Sequence, residues 1–432
     1  MLKKKLIISA LGLGLATSAN ASTFHQAGST LGYGAAGNTH TLFNNFQNPA
    51  ALGGDTSKRL WGVGLSVGVS AEYADMSGID DDTEQIQNQI DQVANDIANG
   101  VYDSTAEAEQ ALETALNNYF SSFTKLSMNV EAGASLPIVI QTSELGGYLV
   151  GMSVTRGARV GMIQTQDADV TVNYNPITQS GSADATTNAN LTITGYELTE
   201  FTLGYGLNLD RFVTLQEGKL NAGARLKMMR AGFNHFAYNL DEIFNDVDKD
   251  FGDELSDEIK DTMTFNNTDS AIGIDLGAQF IADRYLVGLT LENINSPSFN
   301  YTAINSAATS LIASNHLDKS IKLDPKARLD FAYFTENRRW TLAGFADLNK
   351  TTALSGLKTQ QAGISASFAS SLWYAPDVRL GYTNEAAGNK LSQIHGGLTV
   401  GPVSFDLAFN SLDFKEFDDN SVALNLSLEL KF

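Results

Sequence analysis

The chain has 432 residues, with 28 Lys and Arg against 49 Asp and Glu, which gives a formal net charge of −21. A surface this acidic repels nucleic-acid phosphates, so we expect no nucleic-acid partner. Because the chain has no Cys, it has no disulfide bonds, thiol nucleophile, thiolate metal site or lipoprotein anchor. The length fits two or three soluble domains or one large β-architecture.

The first 21 residues have the three parts of a secretory signal peptide. Three lysines, Lys3 to Lys5, precede an apolar run from Leu6 to Leu15, and Ala19-Asn20-Ala21 is a small-x-small cleavage site. The apolar run is too short for a membrane-spanning helix, which takes about 20 residues. We therefore predict that residues 1–21 are a leader and that the exported chain begins at Ser22. It would then lie free in the periplasm, be secreted, or form an outer-membrane barrel.

From residue 60 onward the hydrophobic pattern has a period of two, which is typical of β-strands. In the first run, large apolar residues from Trp61 to Tyr73 alternate with Gly, Ser and Glu. Similar runs lie near 125–136, 146–155, 198–209, 218–229, 270–281, 284–293, 326–335, 338–348, 360–369, 376–384, 391–400, 402–410 and 421–432. Each has about the ten residues that a tilted strand needs to cross a bilayer.

Alternation alone does not distinguish a membrane barrel from a soluble sandwich. Two further features favour the barrel. The second face of the runs carries groups such as Asn221, Arg225 and Asp330, which suit a water-filled lumen. The links between runs alternate between long and short, as they must when both termini lie on one side of the membrane. The sequence therefore predicts an all-β fold: a transmembrane antiparallel barrel of about 14 strands over residues 60–432, with no unpaired edge.

Three long links have helical periodicity, which predicts helical insertions at about 79–120, 240–263 and 303–313. These helices are interpreted either as ordinary loop caps or as the lining of a hydrophobic groove through which apolar compounds enter. The candidate groove residues are Phe244, Val247, Phe251, Leu255, Leu311 and Ile312.

Two strings resemble catalytic or cofactor motifs, and neither has the required context. Gly32 to Gly37 matches G-x-G-x-x-G but follows no strand, and Gly64 to Gly68 matches G-x-S-x-G inside a strand. The five histidines lack metal-ligand spacing, and the acidic string Asp246 to Gly252 fits a solvated helix face better than a calcium loop. We predict no catalytic residue, no metal, no cofactor and no enzyme activity, with a barrel hydrolase built on a Ser-His pair as a minor alternative.

The C-terminal residue is Phe432, preceded by apolar residues at every second position. This ending resembles the signal by which the barrel-assembly machinery recognises bacterial outer-membrane barrels. We predict Phe432 as an assembly signal.

The segment 22–59, before the first strand, contains Gly32-Tyr33-Gly34-Ala35-Ala36-Gly37 and Phe46-Gln47-Asn48-Pro49-Ala50-Ala51-Leu52. It resembles the start of the FadL-type (FadL/TodX) outer-membrane transporter superfamily. Within that superfamily, the helical insertion after the first strand resembles the plasmid conjugal-transfer TraF-like group. The resemblance implies a plug at 22–59, with Gly32, Gly34, Gly37, Asn48 and Pro49 as plug residues. It also implies a third strand that is kinked and opens laterally. Arg156 to Arg159 follows that strand at the matching place, or else marks the membrane boundary.

The sequence thus predicts a monomer in the bacterial outer membrane, in contact with outer-membrane lipid and assembled by the barrel-assembly machinery. The resemblance implies passive uptake of small hydrophobic compounds, which makes a small hydrophobic ligand the expected partner. The alternative is a conjugal-transfer or adhesive platform that acts through its extracellular loops.

Overall fold

The structure, a computed structural model, describes residues 33–39, 41–54, 60–74, 88, 92–97, 99–102, 104–124, 127–142, 146–175, 180–212, 215, 217–241, 260–370, 375–410 and 420–432. Fourteen antiparallel strands follow one another around a closed barrel. In the described part of the chain, no helix combines the length and the apolar character needed to cross a membrane.

The barrel strands are numbered in chain order. They are β1 (Leu60–Ala74), β2 (Ser127–Thr142), β3 (Gly146–Gln164), β4 (Ala189–Asn208), β5 (Lys219–Asn239), β6 (Asp269–Ile281), β7 (Tyr285–Glu292), β8 (Lys326–Phe334), β9 (Trp340–Asp347), β10 (Gln361–Phe368), β11 (Asp377–Glu385), β12 (Ser392–Val400), β13 (Val403–Phe409) and β14 (Asn420–Lys431). Short strand pairs at 169–175 with 180–186, 298–300 with 320–322, and 351–352 with 358–359 lie in the links.

The barrel closes where its first strand pairs with its last. The register runs from Gly62 opposite Lys431 to Tyr73 opposite Asn420. At the same seam, Phe432 and Trp61 exchange backbone hydrogen bonds of 2.7 and 3.1 Å. Closure satisfies the backbone groups of both terminal strands, which is the condition for a sheet to lie in lipid. The predicted fold class is confirmed, and each predicted run corresponds to one barrel strand.

The distribution of apolar and polar side chains on the barrel wall is the reverse of that in a soluble protein. Large apolar residues on the outer face are exposed, with Trp61 at 57% and Leu426 at 51%, whereas polar residues on the inner face are buried, with Ser66 and Asp275 at 0%. In water this arrangement would expose a continuous apolar band to solvent, which is unfavourable. It is stable when the outer face contacts hydrocarbon.

Exposed aromatic side chains mark one boundary of this apolar band. These side chains are Trp61, Tyr148, Tyr205, Tyr285, Tyr333 and Trp340. They lie near the strand ends that meet the short links, such as 143–145, 282–284 and 335–339. The Tyr148 and Tyr205 rings pack against each other with centroids 5.2 Å apart. Such aromatic girdles lie at the membrane interface of outer-membrane-type barrels.

Three strands extend about ten residues past their predicted runs on the side of the long links. β3 was expected to end near 155, β4 to begin near 198 and β5 to end near 229, but they continue to Gln164, from Ala189 and to Asn239. In these extensions the outer face is also covered: Ile193 and Phe236 are buried there beside Phe120. Because both faces are buried, the clean alternation that identifies a strand is lost.

The cover on this outer face comes from the first long link. Its main helix, here α3, spans Thr105–Phe123 and begins at Ser104, whose hydroxyl accepts a hydrogen bond of 3.2 Å from the Glu107 amide. Residues 92–97 are also helical. A helix of the fourth long link, α4 (Ser306–Ala313), is capped by Asn305, whose side chain accepts a 2.9 Å bond from the Ala308 amide.

Several predicted features lie outside the described residues: the leader at 1–21, Gly32, and residues 242–259 with Phe244, Val247, Phe251 and Leu255. Of the insertion predicted at 240–263, only the helical ends 240–241 and 260–262 are described.

The third strand runs through the arginine pair without interruption. β3 pairs continuously with β2, from Gly146 opposite Thr142 to Gly161 opposite Ser127. It pairs continuously with β4 from Gly147 opposite Gly206 to Gln164 opposite Ala189. The kink that the resemblance implied between Arg156 and Arg159 is therefore absent from this part of β3. The Arg156 side chain is 47% exposed on the outer face, next to outward-facing Val154, and its role at a membrane boundary stays a prediction.

Replacing Leu426 with Arg tests the orientation of the wall. Leu426 lies halfway along β14 on the outer face, so Leu426→Arg should destabilise the barrel in lipid by about 2–4 kcal/mol. Leu348 is equally exposed, at 52% against 51%, but follows the end of β9 in a link, so Leu348→Arg should cost about 0–1 kcal/mol. Denaturant titration in lipid vesicles measures both, and equal costs would contradict the lipid-facing assignment.

Candidate functional site: the plugged lumen and the cavity above it

Residues 33–54 fold inside the barrel as a plug built from three short helices. These are α1 (Gly34–Gly37), α2 (Asn44–Gln47) and a 3-10 helix at Pro49–Gly53. The Asn48 side chain accepts a 2.9 Å hydrogen bond from the Ala50 amide, and Pro49 fixes the first helical residue. Asn48 therefore ends one helix and begins the next, which lets a short segment turn back on itself.

Glycines on the inner wall make room for the plug. A Cβ atom added to Gly62 would meet the Leu42 side chain at 2.5 Å, and one on Gly206 would meet the Pro49 carbonyl oxygen at 2.7 Å. Gly64 lies against Phe43 in the same way, at 3.0 Å. The small residues that the sequence presented as the lining of a water-filled lumen are, at this height, the contact surface of the plug.

Polar groups of the wall hold the plug backbone. The Asp330 carboxylate accepts hydrogen bonds from the Ala35 and Ala36 amides, at 2.8 and 3.4 Å. Glu429 accepts one from the Leu42 amide at 3.0 Å, and the Arg225 guanidinium donates to the Phe46 carbonyl. These contacts join the plug to strands on different sides of the barrel without any covalent link.

Ion pairs cross the inner wall beside the plug. Asp275 accepts from Arg225 at 2.6 Å and from Lys227 at 3.0 Å, and all three side chains are buried. Arg328 pairs with Asp347 at 2.6 Å, and Lys326 with Glu292 at 3.0 Å. Removing one partner would leave a buried uncompensated charge, so these pairs fix the geometry of the wall more than they add net stability.

The N-terminal end of the described plug is tied to the opposite wall by Tyr33. Its ring lies 5.5 Å from the Arg379 guanidinium, which also pairs with Asp406 at 2.7 Å. Burial raises the pKa of the Tyr33 phenol, and the nearby Asp406 carboxylate raises it further. The phenol therefore stays neutral at any physiological pH.

A cavity of about 200 Å³ lies above the plug, inside the extensions of β3, β4 and β5. Links 293–325 and 348–360 close its other sides. The polar lining consists of Thr124, Arg159, Thr192, Thr194, His235, Tyr301, His316, Asp318 and Ser355. Met162, Ile163 and Leu317 add apolar surface.

His235 and Tyr301 form the centre of this lining. Their rings stack with centroids 3.9 Å apart, and His235 Nδ1 lies 2.9 Å from the Thr194 hydroxyl oxygen. The segment 302–303 pairs with residues 234–235 of β5, which holds Tyr301 over the histidine. Burial raises the pKa of Tyr301, with a further contribution from Asp318, so the phenol remains a hydrogen-bond donor.

The remaining predicted site residues lie elsewhere. Leu311 is 5% exposed and packs with Ala237 and Ala308, and Ile312 is half-buried. Packing of α4 against β5 thus accounts for Leu311, and its place in a groove stays a prediction. Phe432 is 76% exposed at the closing seam.

Sequence reasoning missed the cavity residues. The sequence indicates Arg159 as part of a strand interruption or of a membrane boundary, and His235 as one of five scattered histidines. Their strand parity places both on the inner face, but only the register of β3 to β5 and the return of the fourth long link bring them together. Among the residues that the structure describes, no group of three His, Asp or Glu side chains is arranged to hold a metal ion.

The fold and the filled lumen define a plugged, outer-membrane-type β-barrel. A family profile described as "F plasmid transfer operon, TraF, protein" matches residues 45–347, and the chain belongs to this family. The resemblance to the TraF-like group is therefore confirmed. No curated protein matches the chain.

Solved structures with a similar fold include hydrocarbon channels, porins and an outer-membrane phospholipase A of Escherichia coli. The toluene transporter TodX of Pseudomonas putida is 11% identical, with 94% of this chain and 99% of that chain covered and a TM-score of 0.39. The CymD monoaromatic hydrocarbon channel is 13% identical, with 92% and 94% covered and a TM-score of 0.40. At these values the similarity describes a barrel architecture and says nothing about what this chain carries.

A paired glycine substitution tests how tightly the plug fits. In Gly223→Ala the new Cβ would overlap the Pro49 carbonyl, so the plug must shift, at a cost of about 1–3 kcal/mol. In Gly396→Ala the new Cβ meets nothing within 4 Å. We expect faster hydrogen exchange across residues 44–54 in the first variant only. Equal exchange in both would show that the plug does not fit as described.

Proposed function

We propose that this protein is a bacterial outer-membrane channel for passive uptake of small, largely apolar compounds. They enter at the cavity and pass the plug. The observation that carries the proposal is the order of features inside the barrel: a cavity on the side of the long links, then an apolar cluster that includes Tyr196, Phe233 and Phe299, and then a plug held against the wall by hydrogen bonds and packing.

The location follows from the wall. The apolar outer face fits a bilayer, the aromatic girdle lies at the ends with short links, and the long links lie at the other end. In bacterial barrels the short turns face the periplasm and the long loops face outward. The cavity would then face the cell exterior and the plug the periplasm.

Passage requires movement of the plug. Leu42, Phe43, Phe46 and Leu52 pack with Val139 and Leu149 of the wall in one apolar cluster. A compound that leaves the cavity first meets the apolar cluster around Tyr196 and Phe233, and then the plug cluster and the neighbouring ion pairs. The plug is held to the wall by hydrogen bonds and packing, so a local shift of the plug can open a path while the strand pairing of the barrel stays intact.

A disulfide between plug and wall tests this gate. The Cβ position of residue 37 lies 3.4 Å from the Ala343 Cβ, close to the spacing in disulfides, and the chain has no other Cys. Cells carrying Gly37→Cys with Ala343→Cys should lose uptake of a labelled apolar solute under oxidising conditions and regain it with reductant. The single variant Gly37→Cys is the control. Undiminished uptake by the oxidised pair would contradict the gate.

A second function, a platform for conjugal transfer, is favoured by the family and by α3. This helix buries one face on the barrel, through Leu116 and Phe120, and presents a polar face with exposed Glu107, Gln110 and Thr114. A covered, rigid helix next to the long links is a suitable contact surface for a partner cell or a transfer component.

Charge added to the exposed face of α3 separates the two functions. Gln110→Arg with Thr114→Arg should leave folding unchanged, because both side chains point to solvent. If the protein is a platform, mating efficiency should fall at least tenfold while solute uptake is unchanged. Unchanged mating together with normal surface levels would argue against the platform.

A further inference from the structure

We propose that the cavity above the plug binds a small organic monocarboxylate. The inference rests on the proposed function and deepens it, because it names the class of compound that the channel takes first. It is carried by a buried hydroxyl and the edge of a guanidinium in the cavity wall, which are unpaired among the residues that the structure describes.

One deeply buried hydroxyl in the wall has no partner among the described residues. Ser355 is 2% exposed, and its Oγ makes no hydrogen bond there. His235, 4% exposed, lines the same cavity, where its Nδ1 faces Thr194 and its ring also hydrogen-bonds to the Asp318 backbone. An unsatisfied buried polar atom costs about 1–3 kcal/mol, so native structures retain one mainly where something else binds it.

Arg159 supplies the charge. Its Nε lies 3.4 Å from the Ser127 hydroxyl, and among the residues that the structure describes no carboxylate comes within 4 Å of its guanidinium. Arg159 therefore has a free planar edge at the cavity. This geometry matches the two oxygens of a carboxylate.

The remaining lining selects the size and charge of the ligand. A volume of about 200 Å³ gives room for a ligand the size of benzoate or hexanoate. Met162, Ile163 and Leu317 suit an apolar body. Asp318, the carboxylate among the described lining residues, opposes a second negative charge on the ligand.

Binding is measured by calorimetry on the full-length barrel in detergent, with benzoate and hexanoate as probes and benzyl alcohol and inorganic phosphate as comparators. The carboxylates should bind, and the alcohol and phosphate should bind at least tenfold more weakly. Arg159→Gln should weaken benzoate binding about 10- to 100-fold, as expected for loss of a charge-assisted pair. Arg230→Gln is the matched control, because Arg230 is exposed on the outer wall, where its Nε donates to the Thr268 hydroxyl.

Ser355→Ala keeps the test decisive if Arg159→Gln does not fold. Its hydroxyl has no partner among the residues that the structure describes, so the variant should be as stable as the parent, with benzoate binding about two- to tenfold weaker. A purely structural role for Ser355 would leave binding unchanged.

Three results would overturn the proposal: no binding of either carboxylate by the folded parent at millimolar concentration, equal affinity in Arg159→Gln and the parent, or phosphate bound as tightly as benzoate. Because binding is measured without a membrane, its failure is distinct from failure of uptake. If the protein binds benzoate but does not transport it, the carboxylate site stands and the proposed channel function is contradicted.

Discussion

The structure depends on the requirement that a backbone in hydrocarbon finds all its hydrogen-bond partners within itself. A closed antiparallel sheet meets this requirement with strands alone, and the pairing of β1 with β14 is the step that completes it. Once the sheet is closed, each strand has one face toward lipid and one toward an enclosed interior. The inverted side-chain pattern, with exposed Leu and Trp outside and buried Asp and Arg inside, is a consequence of that closure.

Closure also creates an interior that must be filled or hydrated. This chain fills the half near the short links with its own N-terminal segment, and the glycines of the wall are the counterpart of that segment. The buried ion pairs of β5, β6, β8 and β9 surround it. Large side chains on the inner wall would exclude the plug, and unpaired charges there would have an uncompensated desolvation cost. The plug and the wall are therefore one packing unit, although far apart in the sequence.

At the other end, the extensions of β3 to β5 leave the membrane and enter water. There the outer face is no longer covered by lipid, so α3 covers it, and the inner face lines a cavity with hydrogen-bonding groups. The same three strands thus have lipid, protein and cavity contacts along their length. This change of surroundings explains why their outer parts carry the functional candidates, and also why strand patterns fade there.

The sequence by itself determined the architecture. The period of two, the alternation of link lengths and the short N-terminal motifs predict a barrel with a plug. These features can be recognised in the sequence because they are local patterns that one strand or one turn imposes on its own residues. It also placed Arg156 at a possible membrane boundary. Only the tertiary structure decided that the interior beside the plug is packed rather than open, that β3 is straight through Arg156 to Arg159, and that Arg159, His235 and Ser355 share one cavity. These residues are separated by up to two hundred positions. Their proximity depends on strand register and on the return path of two long links, which no local pattern encodes.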